Sequence, residues 1–386
     1  MRSNHYQKGL GLIELMIALV LSSLLMLGVT RMFADSVSSS SSETALAQVQ
    51  DSARIAMEII KKDVRMAGFQ GNCVAPNSQL APNSILNFQT QSVFGEEGNG
   101  TNSDFFTIVT AGELSAPDNY LNPGAGSSLV RVLDFNQSSA PGNTNVDLDR
   151  QMCFSSTDIF MVTDCRQTAI FSPEDEGADC KTDPTTITPD NNMNPLGVGG
   201  ASVSLKDFVI ADGCIESDVS THDKCPVLYK VGTIANQGTR YSIDTLKDAT
   251  DTNIPGPDGQ PVFALFRDGV QMVDGVENLQ VLYGITRGAS TRYVSGCASG
   301  TVAAGTCIPG CTAAEVSTGN CNPGAITHIK ISLLIASSSP VAKTTATDTF
   351  PIQNLNAAND ELVIQNNNDR RLRRVFTSTI QLRNSG

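Results

Sequence analysis

The longest apolar run of this chain starts close to its N-terminus. Residues 1–9, MRSNHYQKG, are short, polar and basic, and from Leu10 the chain reads LGLIELMIALVLSSLLMLGVTRMF. Between Glu14 and Arg31 sixteen residues carry no charge, about 24 Å of helix at ~1.5 Å per residue. With residues 10–12 added and Arg31 snorkelling, this run predicts a helix that just crosses a hydrocarbon layer of ~30 Å. Residues 36–42, mostly serine, have poor helix propensity, which leaves two readings: a helix that continues with a bend, or a flexible linker. In residues 43–67, Leu46, Val49, Ala53, Ala56, Ile60, Val64 and Ala67 recur at spacings of three and four. That spacing predicts an amphipathic helix with Lys61, Lys62 and Arg65 on its wet face. Gly68 and Gly71 supply the stop.

The pattern then changes to short, β-branched, partly alternating runs separated by Gly, Asn, Pro and Ser. Strands are expected at 105–110, 128–133, 158–163, 226–231, 262–266, 276–285, 326–336 and 374–382. No helical period longer than about a dozen residues follows Gly71. The fold class this predicts is α+β: one long N-terminal helix packed on a mostly antiparallel β-sheet domain with long loops.

Composition agrees, with no Trp, few aromatics, 32 Gly and 17 Pro. The net charge is −13, from 26 basic and 39 acidic residues. Loss of residues 1–9 would remove Arg2 and Lys8 and no acid, leaving 24 against 39. A surface that acidic repels phosphate backbones, so general nucleic-acid binding is not expected. All ten cysteines lie after the helical region, in its Gly- and Ser-rich sequel, which reads as disulfides formed in an oxidising compartment. Cys214 with Cys225, and Cys153 with Cys165, are candidate local bridges. Cys297, Cys307, Cys311 and Cys321 admit a zinc reading, but only the central pair approaches zinc-ligand spacing; two local disulfides stapling the loop fit better.

Two residues near the N-terminus do not suit a plain anchor or an ordinary signal peptide. The small residue Gly9 precedes the apolar run instead of following it, and Glu14 places a carboxylate inside that run, where an unpaired charge is expensive. Arg2 and Lys8 before the run and an acidic domain after it orient the N-terminus to the cytoplasm. The string K-G-L-G-L-I-E-L-M-I closely resembles the prepilin processing motif of type IV pilins and type II secretion pseudopilins. The resemblance implies cleavage after Gly9 by a prepilin peptidase, methylation of the new terminus Leu10 by the same enzyme, and a role for Glu14 in subunit assembly. Most members have Phe or Met where this chain has Leu10. The buried carboxylate of Glu14 could pair with the new terminal amine of an adjacent subunit, offsetting two otherwise costly charges.

Four further stretches resemble the PilW-type minor pilins. They are Ala53-Arg54 with Asp63, Arg65, Ala67-Gly68, Gly71 and Cys73; residues 158–165 with Ala169-Ile170-Phe171; FALFRDGVQMVDGVENLQVLYGI at 263–285; and RRLRRVFTSTIQLRN at 370–384. Residues 73–150 and 172–225 carry no usable resemblance. The implied division is a removed leader at 1–9, a transmembrane and filament-core helix at 10–32, its amphipathic continuation at 33–70, and an exported β-rich pilin domain at 71–386. The implied role is a minor pilin of the bacterial inner membrane that helps initiate type IV pilus assembly at the tip. Its partners would be other minor pilins, the major pilin, a tip adhesin and inner-membrane lipid. The alternative is a J-type minor pseudopilin of a type II secretion system.

Arg371 and Arg373, alternating with Leu372, read as a solvated strand start, and Glu277, Gln280 and Tyr283 as setters of hairpin geometry. Acidic runs at 173–183 and 248–259 offer oxygen ligands to calcium but lack the Glu that closes an EF-hand loop; solvated loops fit them better. His5 falls in the leader, His222 and His328 have no recognisable nucleophile partner, and no nucleotide or hydrolase fingerprint is present. No catalytic activity, metal or cofactor is expected.

Overall fold

A computed structural model describes residues 11–69, 92–98, 102–111, 130–137, 144–149, 154–163, 167–173, 186–189, 225–233, 238–248, 250–256, 259–302, 307–318, 324–341, 349–353, 361–365 and 370–383, with a few isolated positions besides. Helix α1, Leu12–Met66, runs unbroken through the Ser-rich stretch, so the linker reading does not hold. There the hydroxyls of Ser42 and Thr44 donate to the carbonyls of Ser38 and Ser40 at 2.9 Å each, bonds within the helix that leave the ladder intact. At the other end Gly68 adopts φ 73°, the left-handed conformation that ends helices and that glycine takes without a Cβ penalty. Its N–H then donates to Val109 O at 2.8 Å.

The strands follow in short lengths. The first six are β1 (Asn77–Ser78), β2 (Val93–Glu96), β3 (Phe105–Ile108), β4 (Val130–Gln137), β5 (Thr144–Leu148) and β6 (Asp158–Thr163). Then come β7 (Gln167–Phe171), β8 (Thr186–Ile187), β9 (Val227–Thr233), β10 (Thr239–Thr245), β11 (Phe263–Arg267) and β12 (Val270–Asp274). The C-terminal part contains β13 (Val276–Arg287), β14 (Ser290–Val294), a short helix α2 (Ala313–Ser317), β15 (Ala325–Pro340), β16 (Thr349–Gln353), β17 (Glu361–Gln365) and β18 (Arg371–Gln381). All eight expected strands are present; the shorter ones between them carry too few alternating residues to stand out from loops.

These strands form four sheets, ordered β1-β7-β6-β9-β4-β5-β8, β12-β11-β10-β3-β2, β14-β13-β15-β18 and β16-β17. Among the named strands only the two-residue β1–β7 pair is parallel. The α+β class expected from the sequence is the one observed. The lower half of α1 packs on the four-stranded sheet, and Val49, Ala53, Ala56, Met57, Ile60 and Val64 join Val281, Ile331, Leu333 and Ile380 in one core. Small residues at 53 and 56 let the helix approach the sheet closely. Leu46 is only half buried, and Ala45 takes the buried position one residue earlier. Two smaller cores lie inside the seven-stranded sheet and its junction with β2.

Candidate assembly surface

The upper half of α1 packs against nothing among the described residues. Leu12 is 79% exposed, Leu25 71% and Phe33 70%, and Ala45 is the first buried residue along the helix. The segment is long and apolar enough to cross a membrane. Its few polar groups are handled internally: Ser22, Ser23 and Thr30 donate to the carbonyls of Ala18, Val20 and Met26 at 2.7–2.8 Å. That removes most of the penalty for hydroxyls in lipid. Glu14 stands exposed in the first helical turn, its N–H donating to Gly11 O at 3.0 Å. A carboxylate there is favoured by the positive end of the helix dipole. Gly9 and Leu10 lie outside the described residues.

Below the anchor, charged residues from separate stretches of the sequence meet. Asp63 of α1 forms an ion pair with Arg267 of β11 at 2.9 Å, and accepts a hydrogen bond from Tyr241 Oη at 2.6 Å. Tyr241 stacks on Phe106, ring centroids 5.1 Å apart. Burial first, and then its bond to Asp63, push the Tyr241 phenol up, so it stays a donor at any physiological pH. This cluster fixes the helix to the five-stranded sheet.

A second lock joins β13 to β18 across β15. Arg373 donates to Glu277 from Nε at 2.6 Å and from Nη2 at 2.9 Å, and both side chains are nearly covered, at 4% and 14% exposure. Arg371 is buried as well. The reading of Arg371 and Arg373 as a solvated strand start is therefore corrected: β18 turns both inward, where a carboxylate 96 positions away receives one of them. Gln280 donates to Asn102 O at 3.1 Å, and Asp104 accepts from Gly98 N at 2.9 Å and Val281 N at 2.8 Å. Thus β13 holds residues 102–104 through its polar residues, beyond any hairpin of its own. Burial pushes the Asp104 carboxyl up to about 7, against the pull of those two N–H donors. The Tyr283 hydroxyl is buried and has no hydrogen-bond partner among the described residues. Between β12 and β13 the turn needs Gly275, at φ 79°; a Cβ there would lie 2.6 Å from Ala336 O.

Among the described residues three disulfides close local loops: Cys214–Cys225, Cys297–Cys307 and Cys311–Cys321, with Cα separations of 4.9, 5.5 and 5.8 Å. The last four cysteines are thereby consumed, which leaves no thiolates for zinc at that loop. Inside the second loop the buried Glu96 carboxylate accepts from Gly300 N at 2.8 Å and Val302 N at 2.6 Å. The third loop encloses α2, capped reciprocally by Thr312 and Glu315. Cys153 and Cys165 lie outside the described residues. In the 248–259 run, Asp248 Oδ1 accepts from Thr250 Oγ1 and from the N–H groups of Thr250 and Thr252, so that oxygen is taken up by its own loop. His328 contacts Thr327 Oγ1 at 2.8 Å; His222 is outside the described residues.

An exposed apolar N-terminal helix continuous with one that anchors an antiparallel sheet defines a type IV pilin-like protein. Comparison with known proteins goes further. Residues 4–30 match the family model described as Prokaryotic N-terminal methylation motif, and residues 234–384 match Type IV Pilus-assembly protein W. Together the two matches support reading the chain as a PilW-type minor pilin of the type IV pilus. The second match spans β10 to β18, the sheets on which α1 packs; the stretches at 51–73 and 158–171 lie outside both matches. No curated protein matches. Among solved structures the chain is similar to the type IV-like pilin TTHA1219 from Thermus thermophilus, with 10% identity over 88% of this chain and 97% of that one and a TM-score of 0.27.

Proposed function

We propose that this minor pilin takes part in initiating pilus assembly and resides at the filament tip, after cleavage behind Gly9 and methylation of Leu10. The observation that carries the reading is the bare apolar half of α1 with Glu14 in its first turn: a surface that lipid covers first and neighbouring helices cover later. Moving from lipid into a bundle gains little from hydrophobicity, because both surroundings are apolar. An ion pair between Glu14 and the terminal amine of a neighbour would supply direction and register. The anchor places the C-terminal domain in the periplasm before assembly, by the charge asymmetry around the apolar run. Its partners there are the prepilin peptidase, other pilins and a tip adhesin, and the chain acts as a structural subunit without catalysis. Contributions to adhesion and twitching would follow from its place in the pilus. The pseudopilin alternative shares the anchor but draws no support from the C-terminal region matched above. Mass spectrometry of the membrane form tests the first step. A chain beginning at methylated Leu10 is expected, and an N-terminus at Met1 or beyond residue 36 would refute it.

A further inference from the structure

Although the chain as a whole is strongly acidic, cations collect along one open groove of ≈ 920 Å³ between α1 and β18. Lys61, Lys62 and Arg65 of α1 face Arg383 just past the end of β18, over a floor that includes Met57 and Phe376. Glu58 is the single acid in the lining. Among the described residues none of these four cations makes an ion pair, whereas Arg267 and Arg373 are committed to partners. The strand beside the groove is an edge: β18 pairs with β15 on one side and with no strand on the other among the described residues, although β16 touches it. From Arg374 to Gln381, β18 offers about 26 Å of edge at ~3.3 Å per residue, with no neighbouring strand among the described residues. A long edge of this kind readily accepts an added strand.

We propose that this groove is a docking site for an extended, Asp/Glu-rich segment of a different subunit. The segment would add to the edge of β18 and lay its carboxylates against Lys61, Arg65 and Arg383. Charge complementarity selects such an occupant. Anionic lipid does not fit, because Lys61 lies 28 residues beyond Phe33, about 42 Å along the helix from the apolar run at ~1.5 Å per residue. A nucleic acid would meet the acidic remainder of the surface. This inference goes beyond the proposed function, since it concerns a face remote from Glu14 and holds wherever in the filament the chain resides.

The test is site-specific photocrosslinking of the full-length protein in its own cells, with p-benzoylphenylalanine introduced at the exposed Thr379. The crosslinked peptide is then mapped by mass spectrometry. The expected product joins Thr379 to an acid-rich stretch of another subunit. Its yield should fall at least fivefold in the variant Lys61→Glu/Arg65→Glu/Arg383→Glu, and the same probe at Thr291, on the opposite sheet edge, should not capture that peptide. If the triple variant is degraded, the single Arg383→Glu variant carries the comparison. Absence of a crosslink at Thr379 would overturn the proposal. So would a crosslink to phospholipid, to a second copy of this chain or to a segment without excess acid, or a yield indifferent to charge reversal.

Discussion

Removing the carboxylate of Glu277 should be among the most damaging single changes available in the β-sheet domain. Arg373 is 4% exposed and makes two bonds to Glu277, at 2.6 and 2.9 Å. Glu277→Ala leaves that guanidinium buried without its counter-ion. Stranding one half of a buried pair costs about 3–5 kcal/mol, against ~0–1 kcal/mol for a solvated surface pair. Arg373 has a further interaction besides this pair, so the lower end, about 3 kcal/mol, applies. A domain is stable by only ~5–15 kcal/mol, and at ~2–4 °C per kcal/mol the midpoint should fall by roughly 10 °C. The chain has no Trp, so circular dichroism of the protein in detergent is the suitable readout. The double variant Glu277→Leu/Arg373→Met should recover most of the loss, because an apolar pair of similar volume has no charge to desolvate. A single-variant loss below 1 kcal/mol, or a double variant as unstable as the two singles added together, would refute the account of a buried, coupled pair.

Glu14→Val should insert and be cleaved normally, since the helix becomes more apolar, yet be missing from sheared pili; wild-type incorporation would reduce Glu14 to a membrane-interface marker. Asp104 sets a pH dependence whose sign follows from its raised folded value of about 7 against 3.8. The unfolded chain ionises first, so this group's contribution to stability should decline as pH rises from about 4 to 7 and level off above; Asp104→Asn should flatten that slope in denaturation midpoints, and an unchanged slope would contradict it. Alkylation of the folded chain without reductant should label none of Cys214, Cys225, Cys297, Cys307, Cys311 and Cys321. Reduction should then lower stability by ~2–4 kcal/mol per bridge, and full labelling before reduction would exclude the bridges.

The helix and the long central strands were legible in the sequence because their information is local. A 3.6-residue period marks the buried face of residues 49–64, and partly alternating runs with β-branched residues mark β13 and β15. Continuity through residues 36–42 was undecidable from propensity alone, since a serine-rich segment is helical only when the helices on either side of it are. The anchor motif with Glu14 was equally plain, as a charge inside an apolar run needs no partner to be noticed. What only the tertiary structure decided were relations between distant residues. Asp63, Arg267, Glu277 and Arg373 each look like surface charges in sequence, because nothing local distinguishes an arginine facing water from one facing a carboxylate 96 positions away. The same holds for the cationic groove. Lys61 and Arg65 read as a wet helical face, and only the placement of β18 beside that face, with no further strand on its outer side among the described residues, turns solvated charge into a surface shaped for a partner.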